Sequence, residues 1–252
     1  MKQKILYALL SVAMLTSCAD QYKIAGNSSV PMLDGRMLYL KVVSNNNMYS
    51  IDSCEVVHGK FNFMGMMDSI VMAELYMDDE SVMPLVLENG NLTIRIGCAD
   101  QRVLGGSLNE KLYHFIEKKT QLDYQLSELS HREVRLIMNG EYDHKKREKL
   151  QKEALKLTHR AEELETEFIR ENYNNVLGPG VFMLLCGQYR YPIITEQIKD
   201  IMSKATVEFR NHPFVREYMR TAELNMKRMR IYSFPHAVPA PILNCNASGA
   251  GF

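Results

Sequence analysis

Net charge is missing from this sequence, whose 252 residues carry 30 basic groups against 30 acidic ones. A balanced chain has no basic field to draw in nucleic acid, so nucleic-acid binding is not expected. Only 5 cysteines occur, and no two are separated by just two residues. That excludes a redox Cys-x-x-Cys and paired zinc knuckles. There is no Gly-x-Ser-x-Gly elbow, phosphate-binding loop or His-Glu-x-x-His, so neither a catalytic residue nor a cofactor is implied. After the first residues, no apolar run approaches the length of about 20 that a membrane-spanning helix needs.

What is present starts at the N-terminus. Lys2 and Lys4 precede an apolar run from Ile5 to Leu15, and small residues then lead into Cys18. This is the layout of a secretory signal peptide over residues 1–17, too short in its apolar part to span a bilayer. The ending Leu15-Thr16-Ser17-Cys18 resembles the lipobox of bacterial lipoproteins. That resemblance implies lipid on Cys18 and membrane attachment through it; the plainer alternative is a cleaved signal beside a chance cysteine. Removing the leader takes away Lys2 and Lys4, leaving 28 basic against 30 acidic groups.

Residues 18–34 read as an anchor segment with a first strand at Tyr22–Ala25. Residues 35–106 are short runs of strand type split by turn residues: 36–43, 48–51, 54–57, 60–66, 69–77, 82–88, 91–96 and 102–104. Phe61 and Phe63 alternate with Lys60 and Asn62, and Leu92, Ile94 and Ile96 alternate with Asn91, Thr93 and Arg95, so each strand should bury one face. His58-Gly59 and Asn89-Gly90 sit where tight hairpin turns would lie. An antiparallel β-sandwich or open barrel is expected. Cys54 and Cys98 share inward parity on this reading. They can pair in an oxidising compartment or stay as buried free thiols.

At Gly105-Gly106 the period changes. Ser107-Leu108-Asn109-Glu110 reads as a capping box that opens a helix. Leu108, Leu112, Phe115, Lys119, Leu122, Leu126 and Leu129 then recur in steps of four and three, and after Asp143 the spacing returns at Leu150, Ala154, Leu157, Ala161, Leu164 and Phe168. Two such stripes with a short polar loop between them predict a long antiparallel helical hairpin. The helical region is expected to run over 107–230, with Val215, Met219, Ala222, Met226 and Met229 as a further stripe, followed by a flexible tail at 231–252. The fold class is therefore α+β.

Other constellations are read blandly. Met64, Met66 and Met67 could offer thioethers to copper(I), but they suit an irregular core better. His131, His144 and His159 fall on charged helical surface, and Asp78-Asp79-Glu80 is solvated turn chemistry without calcium-loop spacing. No metal site is expected.

Ile51-Asp52-Ser53, Gly59-Lys60-Phe61-Asn62-Phe63-Met64-Gly65, Leu87-Glu88-Asn89-Gly90-Asn91-Leu92 and Val103-Leu104-Gly105-Gly106-Ser107-Leu108-Asn109 follow one another in an order that resembles a domain of unknown function common in lipoproteins of Bacteroidetes. Phe168-Ile169-Arg170-Glu171-Asn172-Tyr173, with Gly178 following, extends the likeness. In many relatives a thioredoxin-like domain of the thiol-disulfide oxidoreductase type comes next, whereas this chain has Pro239-Ala240-Pro241-Ile242-Leu243 and a lone Cys245. The resemblance implies a lipid-anchored protein of the cell envelope facing the periplasm. The expected role is a non-catalytic module that binds an envelope protein or a small ligand. The alternative is an accessory of thiol-disulfide metabolism with Cys245 as its reactive thiol.

Overall fold

A computed structural model describes residues 20–44, 47–98 and 100–232 of the chain. Cys18 and Cys245 lie outside the described residues, as do the leader and the tail from residue 233 on, the last helix running through residues 231 and 232 that were expected to belong to the tail. Among the described residues the strands are β1 (Asp20–Ser28), β2 (Met37–Ser44), β3 (Asn47–Glu55), β4 (Lys60–Met67), β5 (Val71–Met77), β6 (Glu80–Leu87), β7 (Gly90–Ile96) and β8 (Gln101–Leu104). The helices are α1 (Ser107–Met138), α2 (His144–Glu171), α3 (Leu177–Gly187), α4 (Glu196–Ser203), α5 (Val207–Asn211) and α6 (Pro213–Tyr232). The class is α+β, with strands first and helices after.

The strands form two four-stranded sheets, in the orders β4-β1-β7-β8 and β3-β2-β5-β6, and no closed barrel. All pairings are antiparallel except β1 with β7, which run parallel. Alternation places Tyr22, Ile24, Phe61, Phe63, Leu92 and Ile94 of the first sheet, and Leu38, Leu40, Ala73 and Leu75 of the second, in one shared core. Strand β6 breaks the alternation, because Leu85, Val86 and Leu87 are all buried. A strand buried on consecutive residues has cover on both faces, and here the second cover is helical.

Three turn and strand expectations need correction. The separate runs 48–51 and 54–57 are largely one strand, β3, whose pairing with β2 shifts register between Leu40 and Lys41. A bulge absorbs the extra residue there, so the polar Asp52-Ser53 does not end the strand. His58-Gly59 is a tight turn with φ of 51° and 71°, but only Val57 and Lys60 bridge across it before the strands part into different sheets. Asn89-Gly90 is no hairpin at all. It carries the chain from β6 in one sheet to β7 in the other, with positive φ at Gly90 alone.

The hairpin of α1 and α2 is present. At 1.5 Å per residue the 32 residues of α1 span roughly 48 Å, and past Leu122 none of its described side chains is buried. Lys119, the polar break in the apolar stripe, sits 3.3 Å from the buried Glu165 of α2 and 3.0 Å from Asp123. Burial lowers the Lys119 pKa and the two carboxylates more than offset this, so it stands above its ordinary value. Gln197 of α4 donates to the other Glu165 oxygen at 3.1 Å. Glu165 thus ties the two helices of the hairpin to each other through Lys119 and to α4 through Gln197.

The helix start differs from the capping box. Gly106 is the capping residue and makes no side-chain cap bond. Glu88, at the end of β6, accepts from Leu108 N at 3.2 Å and Asn109 N at 2.9 Å instead. A carboxylate at a helix N-terminus satisfies orphan amides and opposes the positive end of the dipole. Gly106 has φ of 82°, and a Cβ there would clash with the Glu88 carboxylate, so only glycine lets the two approach.

Candidate functional site

The second sheet turns one face to the core and the other to the helices. On β2, Lys41 and Val43 point outward. On β5 and β6, Met72, Glu74 and Pro84 do the same, since Lys41 pairs with Glu74, Glu74 with Pro84, and Met72 with Val86. Helix α3 lies directly on this face: a Cβ on Gly180 would stand 2.6 Å from Met72 Sδ. A larger residue at 180 would require the Met72 side chain to shift.

Beside that contact the layers diverge and leave a cleft of about 690 Å³. Its sheet wall is Lys41, Val43, Met48, Val71, Met72, Ala73, Glu74 and Pro84. Its helical wall is Tyr173, Asn174, Asn175, Val176, Pro179, Gly180, Met183 and Leu184, closed at one side by Glu208 and His212. The volume falls within the range typical of small-molecule sites, and the walls mix apolar side chains with polar ones.

Each polar group has a definite placement. Lys41 Nζ lies 4.2 Å from the Tyr76 ring centroid and 5.9 Å from that of Tyr39, a cation over two aromatic faces. Glu74 is occupied: Tyr76 Oη donates to it at 3.2 Å, and Ser81 Oγ also donates. The helical wall is held by a relay in the turn between α2 and α3. Buried Asn172 donates to Phe168 O at 2.7 Å and accepts from Asn175 Nδ2 at 2.9 Å, while Asn175 Oδ1 accepts from Leu177 N at 2.9 Å. His212 sits between α5 and α6, directly before Pro213, with its Nδ1 buried and unpartnered among the described residues. Burial lowers its pKa, so the imidazole is neutral at neutral pH.

Behind the wall, Phe182 of α3 packs edge-on against Phe209, Phe214 and Tyr218 at 5.5, 6.4 and 5.8 Å between centroids. Tyr218 Oη in turn bonds both polar backbone atoms of Ile193. This aromatic block fixes where α3 and the His212 corner stand.

The three described cysteines are not paired with one another. Cys54, Cys98 and Cys186 are free thiols. Cys54 has the expected inward parity, opposite Leu38, and burial pushes its thiol up to about 11. Cys186 is buried in α3 and pushed up to about 12 by the same cause. Both stay protonated and unreactive at neutral pH. Cys98 corrects the sequence reading: it follows the end of β7 in an exposed turn rather than facing inward on a strand. Gly97 and the turn residues end the strand one step before the parity argument could apply.

His131 and His159 are exposed and lie beside Glu128 and Glu163 at 3.6 and 3.2 Å. Among the described residues no three His, Cys, Asp or Glu side chains converge as a metal set. Met64 and Met66 are exposed on β4, and Met67 is half-buried on its other face. Asp78 is in the β5 to β6 turn, paired with Arg36. Sequence reasoning did not find the cleft. Its one legible signal was the uninterrupted burial-type run Leu85-Val86-Leu87, which marks a strand covered on both faces.

The family model for a domain of unknown function (DUF4369) matches residues 22–113. The matched stretch runs from Tyr22 in β1 to Tyr113 in α1, so it holds the sheet wall of the cleft and not the helical wall. No curated protein and no solved structure is similar to the chain.

Proposed function

We propose that this chain is a non-catalytic binding module of the cell envelope, tethered by lipid on Cys18 and facing the periplasm, and that it holds its ligand in the cleft between β2, β5 and α3. The observation that carries the reading is the cleft itself, with about 690 Å³ of space walled by Met48, Met72, Met183, Val43 and Leu184. Thioether side chains adapt to the shape of what they cover. The polar groups are few and fixed, which suits recognition by orientation rather than bond-making. No described helix is long and apolar enough to cross a membrane, and the leader and Cys18 supply the attachment on this reading.

Two measurements test it. The full chain with its leader should fractionate with membranes, and Cys18→Ala should move it to the soluble fraction. Continued membrane partition of the variant would overturn the anchor, and rapid loss of the protein on proteolysis of intact cells would overturn the periplasmic orientation. For the cleft, the neutral dye Nile red should bind the purified Cys18→Ala protein saturably at one site. Met183→Trp, which fills the cleft from the helical wall, should remove that binding. Equal dye binding by both proteins would place the site elsewhere.

A further inference from the structure

The cleft is not symmetric in charge, and the asymmetry narrows its occupant. Five charged or titratable side chains line it: Lys41, Glu74, Tyr173, Glu208 and His212, and the Tyr173 hydroxyl already donates to Ile201 O. Glu74 already accepts from Tyr76 and Ser81. Glu208 is exposed in the first turn of α5, where water screens it. Lys41 is half-buried over the Tyr76 ring and makes no ion pair among the described residues. Its ammonium carries three donors and is held in place by the ring beneath it. The N-terminal turn of α3, with Val176, Pro179 and Gly180, borders the same space, and its dipole favours negative charge. Glu74 and Glu208 keep their charges, Glu74 beneath its two hydroxyl donors and Glu208 toward water, so Lys41 is the one cationic side chain in the lining on which an anionic head would sit, beside the apolar wall of Val43, Met48, Met72, Met183 and Leu184.

We propose that the cleft takes a single-chain amphiphile with a carboxylate head, its tail along Met72, Met183, Val43 and Leu184 and its carboxylate on the Lys41 ammonium. This rests on the cleft being the binding site. A carboxylate against an ammonium makes a charge-assisted hydrogen bond, shorter and stronger than a neutral one, while the tail gains by leaving water. An alcohol of the same length keeps the second gain and loses the first.

The experiment is displacement of Nile red from the Cys18→Ala protein by octanoate, decanoate, dodecanoate and dodecanol. Affinity should rise up to about fourfold per added methylene along the acids, and dodecanoate should bind about tenfold more tightly than dodecanol. Lys41→Met, which keeps most of the apolar stem and removes the charge, should erase the difference between acid and alcohol. Lys41→Gln does the same job should the methionine form not fold. Equal binding of acid and alcohol by the unaltered protein would overturn the carboxylate assignment and leave the cleft as the site. A preference for the acid that survives both Lys41 variants would overturn it too. Dodecanoate binding that is unaffected by Met183→Trp would overturn this proposal and the cleft reading together.

Discussion

Phe182→Ala is expected to destabilise the protein by about 4 kcal/mol, the largest single-residue effect in the helical layer. Phe182 is fully buried, and its ring meets three others edge-on: Phe209, Phe214 and Tyr218. Truncation removes the transfer energy of the ring, opens a cavity that three rigid aromatics cannot close, and loses the edge-to-face contacts, worth about 1 kcal/mol each beyond burial. Leu184→Ala is the control, two residues away on the same helix but 41% exposed, and should cost under about 1 kcal/mol. Urea unfolding at constant m-value measures both. Because α3 carries Gly180 and Met183, the Phe182 variant should also weaken dye binding in the cleft before it unfolds globally. A cost below about 1 kcal/mol would mean that the aromatic block does not set the position of α3.

Asn109→Leu is expected to cost about 3 kcal/mol through unmet hydrogen bonds rather than lost volume. Asn109 is fully buried. Its Oδ1 accepts from Val86 N at 2.9 Å, and its Nδ2 donates to Val86 O at 2.7 Å and Glu88 Oε1 at 3.0 Å. Strand β6 is the edge of its sheet, and one amide side chain closes that edge as a neighbouring strand would. Tyr113 Oη adds a bond to Pro84 O at 2.8 Å. Leucine matches the size of asparagine but leaves a buried N–H, a carbonyl and a carboxylate each short of a partner. Asn109→Asp sharpens the test, since it keeps the acceptor for Val86 N but places a second carboxylate beside Glu88. Like charges and burial raise the pKa of such an acid in the folded state, so its destabilisation should be greater at pH 7 than at pH 5. A leucine variant within about 1 kcal/mol of the parent, or an aspartate variant indifferent to pH, would show that the junction is wetter than its geometry implies.

The two measures of legibility, fold and site, came apart at identifiable residues. Phe61 with Phe63, and Leu92 with Ile94 and Ile96, declared their strands because period two and one-sided burial are the same fact. Leu112, Phe115, Leu150 and Phe168 declared the hairpin in the same way, and the stacking of Phe115 on Phe168 at 4.3 Å is the contact their spacing required. Ser107 and Glu110 misled, because a local capping box and a distant carboxylate satisfy the same amides. Glu88 won since it is buried and already placed by β6. Asn89-Gly90 misled for a related reason: a turn pair states that the chain reverses and not which strands it joins.

The sequence alone determined what depends on neighbours a few residues apart: the α+β class, the change of period at Gly105-Gly106, the inward faces of strands and helices, and the start of the second helix after Asp143, whose carboxylate the structure shows accepting from Lys146 N at 2.7 Å. Only the tertiary structure decided the parallel pairing of β1 with β7, the division into two sheets, the closure of the β6 edge by Asn109, and the cleft. The physical reason is that these depend on groups far apart in the chain, such as Lys41 and His212, meeting across a gap. Gly180 on Met72 and the aromatic block behind α3 are the contacts that border that gap.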